Sequence, residues 1–188
     1  MGQREYKLVF AGTMGAGKTT AIAAISEIPP VKTDVANTDM ATFAKATTTA
    51  AMDYGEVTLA GGDKLRLYGT PGQARFDFMW KILADGALGV ILLVDNSRPD
   101  PIADLRTYLD AFRDTVAGSR AVVGIGRTDT HPLPALDAYH EAAAACGLTV
   151  PMLSVDVRQR DDVLLLLNVL FTQIETFDYD SLEEGAKV

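Results

Sequence analysis

Lys18 closes a run of eight residues, Gly12-Thr13-Met14-Gly15-Ala16-Gly17-Lys18-Thr19, that fits the pattern G-x-x-x-x-G-K-[ST] in full. These residue types at this spacing suit one task, which is holding a polyphosphate. Glycines let the backbone curl until successive N–H groups point at phosphate oxygens. A helix opening near Lys18 would set its positive dipole end against the same anion. The Lys18 ammonium reaches the outer phosphates, and the Thr19 hydroxyl can coordinate Mg²⁺. Phosphate contacts are therefore expected from Gly12, Thr13, Met14, Gly15, Ala16, Gly17, Lys18, Thr19 and Thr20.

Such a loop must sit between a strand and a helix, and the flanking sequence supplies both. Apolar runs predict strands over Glu5–Ala11, Met52–Leu59, Leu65–Tyr68, Ala87–Val94, Arg120–Ile125 and Val150–Leu153. Helical patterns occupy Lys18–Ser26, Phe76–Leu83, Ile102–Val116, Leu136–Cys146 and Asp161–Phe177. Near-continuous Val, Ile and Leu in 87–94 and 121–125 implies strands covered on both faces. Strands alternating with helices predict a doubly wound α/β domain. One connection departs from that rule, because Ala60-Gly61-Gly62-Asp63 is a loop fit for a hairpin. The expectation is thus a six-stranded mixed sheet with one antiparallel edge hairpin. The stretch from Ile28 to Thr49 has no clear periodicity, and a loop that long is usually functional or mobile.

Composition narrows the partners. The 188 residues suit one domain, 1–188, with a short acidic tail over 178–188. A formal net charge of −8 gives a nucleic-acid partner little electrostatic support. No apolar run is long enough to span a bilayer, and neither end offers a basic anchor, a signal peptide or a prenylation cysteine. Tyr6 stands where a myristoylation signal would want Ser or Thr. The lone Cys146 cannot form an internal disulfide, which fits a reducing cytoplasm.

Over nearly its whole length the chain resembles the Ras-like small GTPases. More narrowly it resembles the bacterial branch typified by the gliding-motility GTPase MglA and the GTPases encoded beside Roadblock proteins. The residues carrying the resemblance are the Gly12–Thr19 loop, Thr49 through Val57, Gly69 through Gln73, Val94-Asp95-Asn96-Ser97 and Arg127-Thr128-Asp129. The resemblance implies a three-layer P-loop fold, Mg²⁺ as cofactor and GTP or GDP as ligand. It makes Thr49 a second metal ligand that closes over the γ-phosphate, with Thr48 as the fallback in that register. Gly72 would approach the γ-phosphate through its N–H, and Gln73 would orient the attacking water, acting with Lys18 in catalysis.

The base-reading residues follow in the same way. Asp129 would accept hydrogen bonds from N1–H and the 2-amino group of guanine, which adenine cannot return. Arg127 would stack over the base, and a backbone N–H at Ser154-Val155 would meet guanine O6. Two departures stand out. Gly69 replaces the family's metal-side aspartate, a trait the MglA-like branch shares, and Asp53 on the neighbouring strand is a candidate substitute or an ordinary solvent-facing residue. Gly126 replaces an Asn that normally ties the base site to the phosphate loop. No Arg precedes Thr49, so turnover should be slow unless a partner supplies charge.

The implied protein is a GTP/GDP switch in bacterial polarity, motility or surface signalling, with a Roadblock-type regulator and an unidentified effector. The alternatives are a nucleotide-holding pseudo-GTPase and an ATP-using NTPase. His131, His140 and Cys146 form no metal spacing, and Arg75 reads as a solvated residue. Phe76, Phe78 and Trp80 are core residues if buried and a partner surface if exposed.

Overall fold

The computed structural model describes residues 3–35, 50–73 and 76–185. Strand β1 (Glu5–Gly12) turns Leu8 and Phe10 to one side and Val9 and Ala11 to the other, and all four are fully buried. A strand covered on both faces needs an apolar residue at every step, which is why the run is unbroken. The loop after β1 leads into α1 (Lys18–Ile25). There follow β2 (Val31–Val35), β3 (Ala50–Thr58), β4 (Lys64–Gly69) and α2 (Asp77–Ala84). The second half is β5 (Gly89–Asp95), α3 (Pro101–Ala111), α4 (Arg113–Ala117), β6 (Ala121–Gly126), α5 (Leu136–Ala145), β7 (Met152–Ser154) and α6 (Arg160–Gly185).

The strands form one sheet in the order β2-β3-β4-β1-β5-β6-β7. Pairs from β4 through β7 are parallel, while β2-β3 and β3-β4 are antiparallel. The mixed α/β class and the hairpin at Ala60–Asp63 are as expected. The sheet carries one strand more than the apolar runs suggested, because Val31–Val35 adds itself to the hairpin edge. Five residues with a single partner, and Val31 half exposed, leave too weak an apolar pattern to stand out.

Helices cover both faces, which makes three layers. Trp80 of α2, Leu105 and Tyr108 of α3, Val116 of α4 and Tyr139 of α5 pack on Val9, Ala11 and the even-numbered positions of β5. Ile22 of α1 and Leu166 and Leu170 of α6 pack on Leu8, Phe10, Leu65, Leu67 and Leu93. The expected helix over 102–116 is divided at Phe112, whose φ of −109° and ψ of 23° leave the helical region while its side chain stays buried. Helix α6 runs on through Gly185, so most of the segment expected as a tail is helical. Among the described residues no helix is long and apolar enough to cross a membrane.

Candidate nucleotide site

The phosphate loop leaves the C-terminal end of β1, in the middle of the sheet, and enters α1 at Lys18. Gly17 turns the chain with φ of 95°, and a Cβ there would come within 2.6 Å of Val157 Cγ2. Only glycine meets both demands. Gly12 is equally constrained, since a Cβ would fall 2.2 Å from the Leu93 carbonyl oxygen. Ala16 is buried behind the loop, whereas Met14 and Thr20 are exposed on it.

Lys18 is 7% exposed, and its Nζ donates to the Gly12 and Thr13 carbonyl oxygens, each at 2.7 Å. Burial pushes its ammonium down to about 8, with the charge of Asp53 opposing the shift. A buried cation folded onto carbonyls is a seat for an anion. Thr13 Oγ1 and Thr70 Oγ1 are also buried without a hydrogen-bond partner among the described residues. Orphaned oxygens beside a phosphate loop are consistent with a ligand or its water completing them.

Two cavities meet at this loop. The smaller, about 310 Å³, is lined by Met14, Lys18, Thr19, Asp53, Thr70, Pro71 and Gly72, among others. The larger, about 580 Å³, runs from Gly15, Ala16 and Thr20 past Arg127, Thr128 and Asp129 to Ser154, Val155 and Asp156. The two share Gly15, Gly17 and Thr20 of the loop, and are called below the phosphate end and, after the residues expected to read a base, the base end.

At the phosphate end, Gly72 lies so close to the loop that a Cβ on it would fall 2.4 Å from the Met14 backbone N. The stretch before it is pinned: Trp80 Nε1 donates to the Pro71 carbonyl at 2.8 Å, and the indole stacks on Tyr108 at 4.5 Å. Phe76 and Trp80 are thus core residues, while Phe78 is half exposed. Gln73 is exposed and lies beyond the lining of the phosphate cavity, so its side chain is not brought onto the loop. Thr49, Thr48 and Arg75 lie outside the described residues. Thr19 Oγ1 donates to Asp53 Oδ2 at 2.5 Å, a contact the sequence pointed to only as one of two readings of Asp53.

At the base end, Asp129 lines the cavity and accepts no hydrogen bond among the described residues. Its charge acts on Arg158, which is itself committed to Asp156 at 2.7 Å and holds that carboxyl down at about 2. Arg127 lines the same cavity, and its guanidinium is tied down. Its backbone has a φ of 65°, and its Nη1 donates to Asp95 Oδ2 at 2.6 Å and to Ser97 Oγ at 2.8 Å. Nη2 donates to the Gly15 carbonyl at 3.3 Å, so Arg127 makes the tie to the phosphate loop that Gly126 cannot. The Ser154 hydroxyl is in contact with the Thr128 hydroxyl. The Val155 N–H donates to the Ile125 carbonyl at 3.0 Å, so of the amides expected near guanine O6 that of Val155 has a partner within the protein. Asp95 is the residue whose part in the site went unassigned in the sequence.

Comparison with known proteins places this architecture. The model of a family described as conserved hypothetical ATP binding protein matches residues 30–113, a stretch that contains neither the phosphate loop nor the base-side residues. An uncharacterized protein of Methanocaldococcus jannaschii is 33% identical over 99 residues, covering 52% of this chain and 56% of the relative. The match thus spans little more than half of that relative's length. The G domain of the T. maritima FeoB iron transporter superposes with a TM-score of 0.60 at 16% identity, over 93% of this chain and 99% of that one. The fold is that of a G domain. The Gly12–Thr19 loop thus stands on a G-domain fold, between β1 and α1.

Proposed function

We propose that the chain binds GTP and GDP with Mg²⁺ and hydrolyses GTP slowly, as a switch. The observation that supports the base assignment is Asp129, a carboxylate lining the base end with no hydrogen-bond donor among the described residues. Guanine supplies two donors, N1–H and the 2-amino group, to such an acceptor, and adenine supplies none.

The phosphate chemistry follows from the loop. Backbone N–H groups at Gly15 to Thr19 and the α1 terminus hold the β-phosphate, and Lys18 neutralises the outer oxygens. A Thr hydroxyl and one carboxylate beside a phosphate cradle fit Mg²⁺, which takes few protein ligands and keeps several waters. Mg²⁺, when bound, would supply positive charge to the phosphoryl oxygens during in-line attack by water. Gly72 would offer its N–H near Met14, and Gln73 would align the water after moving inward. An exposed Gln73 supports a slow basal rate and a regulator that repositions it. The MglA-like resemblance makes a Roadblock-type protein the regulator to test first, in a polarity or motility pathway.

A second reading, an adenine nucleotide, is favoured by the description of the family matched over 30–113 and by the spent Val155 amide. Displacement of fluorescent GDP decides between them. We expect unlabelled GDP to compete at least about 100-fold better than ADP, and Asp129→Asn to erase most of that preference. Equal competition by ADP would sink the guanine assignment. Hydrolysis is tested separately by single-turnover assay, where a rate no greater than that of Gln73→Ala would leave only a binding protein.

A further inference from the structure

Asn96 follows the last residue of β5 and is 2% exposed. Its Oδ1 accepts from the hydroxyl of Tyr139, fully buried on α5. Its Nδ2 donates to the His131 carbonyl at 2.6 Å and to the Pro134 carbonyl at 3.2 Å. Burial pushes the Tyr139 hydroxyl up to about 12, so it keeps its proton at any working pH. Carbonyls only accept, so Nδ2 must face His131 and Pro134 while the hydroxyl donates to Oδ1. One orientation of the amide satisfies every group around it.

The two carbonyls belong to the loop that carries Asp129. At its near end the loop is closed on Arg127, whose carbonyl accepts from the His131 N–H at 2.8 Å and whose side chain is tied to Asp95, Ser97 and Gly15. Beyond His131 such holds are scarce. Pro132 and Pro134 have no N–H to donate, and Leu133 is 76% exposed. A stretch with few donors and little packing is fixed by whatever reaches its carbonyls. Among the described residues, that group is the Asn96 amide.

We infer that Asn96 is a positioning residue for base recognition, pinning the far side of the turn on which Asp129 lines the cavity. This rests on the nucleotide reading above. Asp129 has no hydrogen-bond donor among the described residues, so its carboxylate is placed by the course of the backbone that bears it. Hydrogen bonds to a base weaken steeply with angle and distance, and a turn free to drift would lose them. Tyr139 acts one step further back, by fixing which way the amide faces.

A brace for the fold as a whole would weaken every ligand alike, whereas a residue that positions the base reader weakens the ligand that is read. Calorimetric titration of the full chain with GDP, ADP and tripolyphosphate, all with Mg²⁺, separates the two, because tripolyphosphate engages the phosphate end alone. Asn96→Ala should weaken GDP by about tenfold, through loss of the bonds that hold the turn, and lower the preference for GDP over ADP in proportion. Its affinity for tripolyphosphate should stay within about twofold of wild type. Asn96→Leu/Tyr139→Phe removes the same clamp while keeping the core filled and leaving neither side chain with an unpaired polar group, and should show the same split. Val116→Ala, a cavity in α4 away from the loop, should lower stability without the split. Thermal unfolding without nucleotide checks that each variant folds.

A folded Asn96 variant whose GDP affinity stayed within about twofold of wild type would overturn the inference and leave the nucleotide reading intact. So would an equal loss of GDP and either of the other ligands, or a Val116→Ala chain that reproduced the split. Wild type that bound GDP no better than ADP would overturn the guanine reading and this inference with it.

Discussion

At the phosphate end of the site the shape is made by backbone: glycines that admit no Cβ, a helix terminus, and a lysine folded onto the carbonyls of its own loop. At the base end it is made by side chains from distant segments, with Arg127 joining Asp95, Ser97 and Gly15. Both ends have lost a residue of the Ras-like pattern, Asp to Gly69 at one and Asn to Gly126 at the other. At Gly69 a neighbouring carboxylate fills the space a side chain would take, whereas a Cβ at Gly126 would meet the Val94 and Val155 carbonyls and the adjoining Arg127 makes the contact to the loop. Asp53 reaches in from across the ladder, and Arg127 reaches back from the adjoining residue. The contrast teaches that what backbone builds tolerates little change, whereas contacts made by side chains, at either end, can be supplied by a neighbour.

The comparison breaks most readily at Lys18. Lys18→Ala should weaken nucleotide binding by about 100-fold or more, from the loss of charge-assisted contacts worth about 1.5–3 kcal/mol each. Calorimetric titration measures it, and a loss under about tenfold would mean that the loop backbone alone holds the ligand. The protein without nucleotide should not be destabilised by this change, because the mutation also removes the cost of a buried ammonium.

Next comes pH, which should act on the phosphate end alone. The Lys18 ammonium ionises near 8 in the free protein, and phosphates stabilise its charged form. Nucleotide binding therefore takes up a proton above pH 8, and affinity should fall by about tenfold between pH 7 and pH 9. The sign reverses for folding without nucleotide. Because the native state holds this proton less tightly than the unfolded chain, stability should rise as pH climbs from about 8 towards the ordinary lysine value of 10.5. Fluorescence titration at fixed ionic strength checks the first slope and urea midpoints the second; a flat affinity profile would contradict the buried-cation account.

The smallest effect is expected at the base end. Arg127→Ala leaves the Asp95 carboxylate, 7% exposed, without its charged partner, with the Ser97 N–H and hydroxyl still donating to it. Arg127 is itself half exposed, so solvent screening limits the cost to about 1–2 kcal/mol in a urea melt. Asp95→Asn in the same chain should recover most of that loss, since the uncompensated charge is gone. A melt unchanged by Arg127→Ala would show that the base end is held by other contacts.

Much of the phosphate end was legible because its signal is local: eight consecutive residues, then a helix. The alternation that fixes the α/β class was legible for the same reason, as strands β1, β5 and β6 are apolar at nearly every position. What stayed hidden depends on register or distance. Asp53 gains its role only from standing opposite Gly69, a fact that follows from counting outward through the Ala60–Asp63 loop. Arg127 was expected beside the base, and its tie to a carboxylate 32 residues away is a contact that no short pattern encodes. Strand β2 stayed hidden because an edge strand needs few apolar residues.

Trp80 is the one tryptophan in the chain, and its indole N–H is bonded to Pro71, two residues before Gln73. Its emission is therefore an unlabelled optical signal from the segment that leads into Gln73. Stacked on Tyr108 and shielded from solvent, the indole should emit to the blue while the Pro71 bond is intact. A nucleotide or regulator that pulls the Pro71 segment away would send that emission to the red, in real time and without any probe attached.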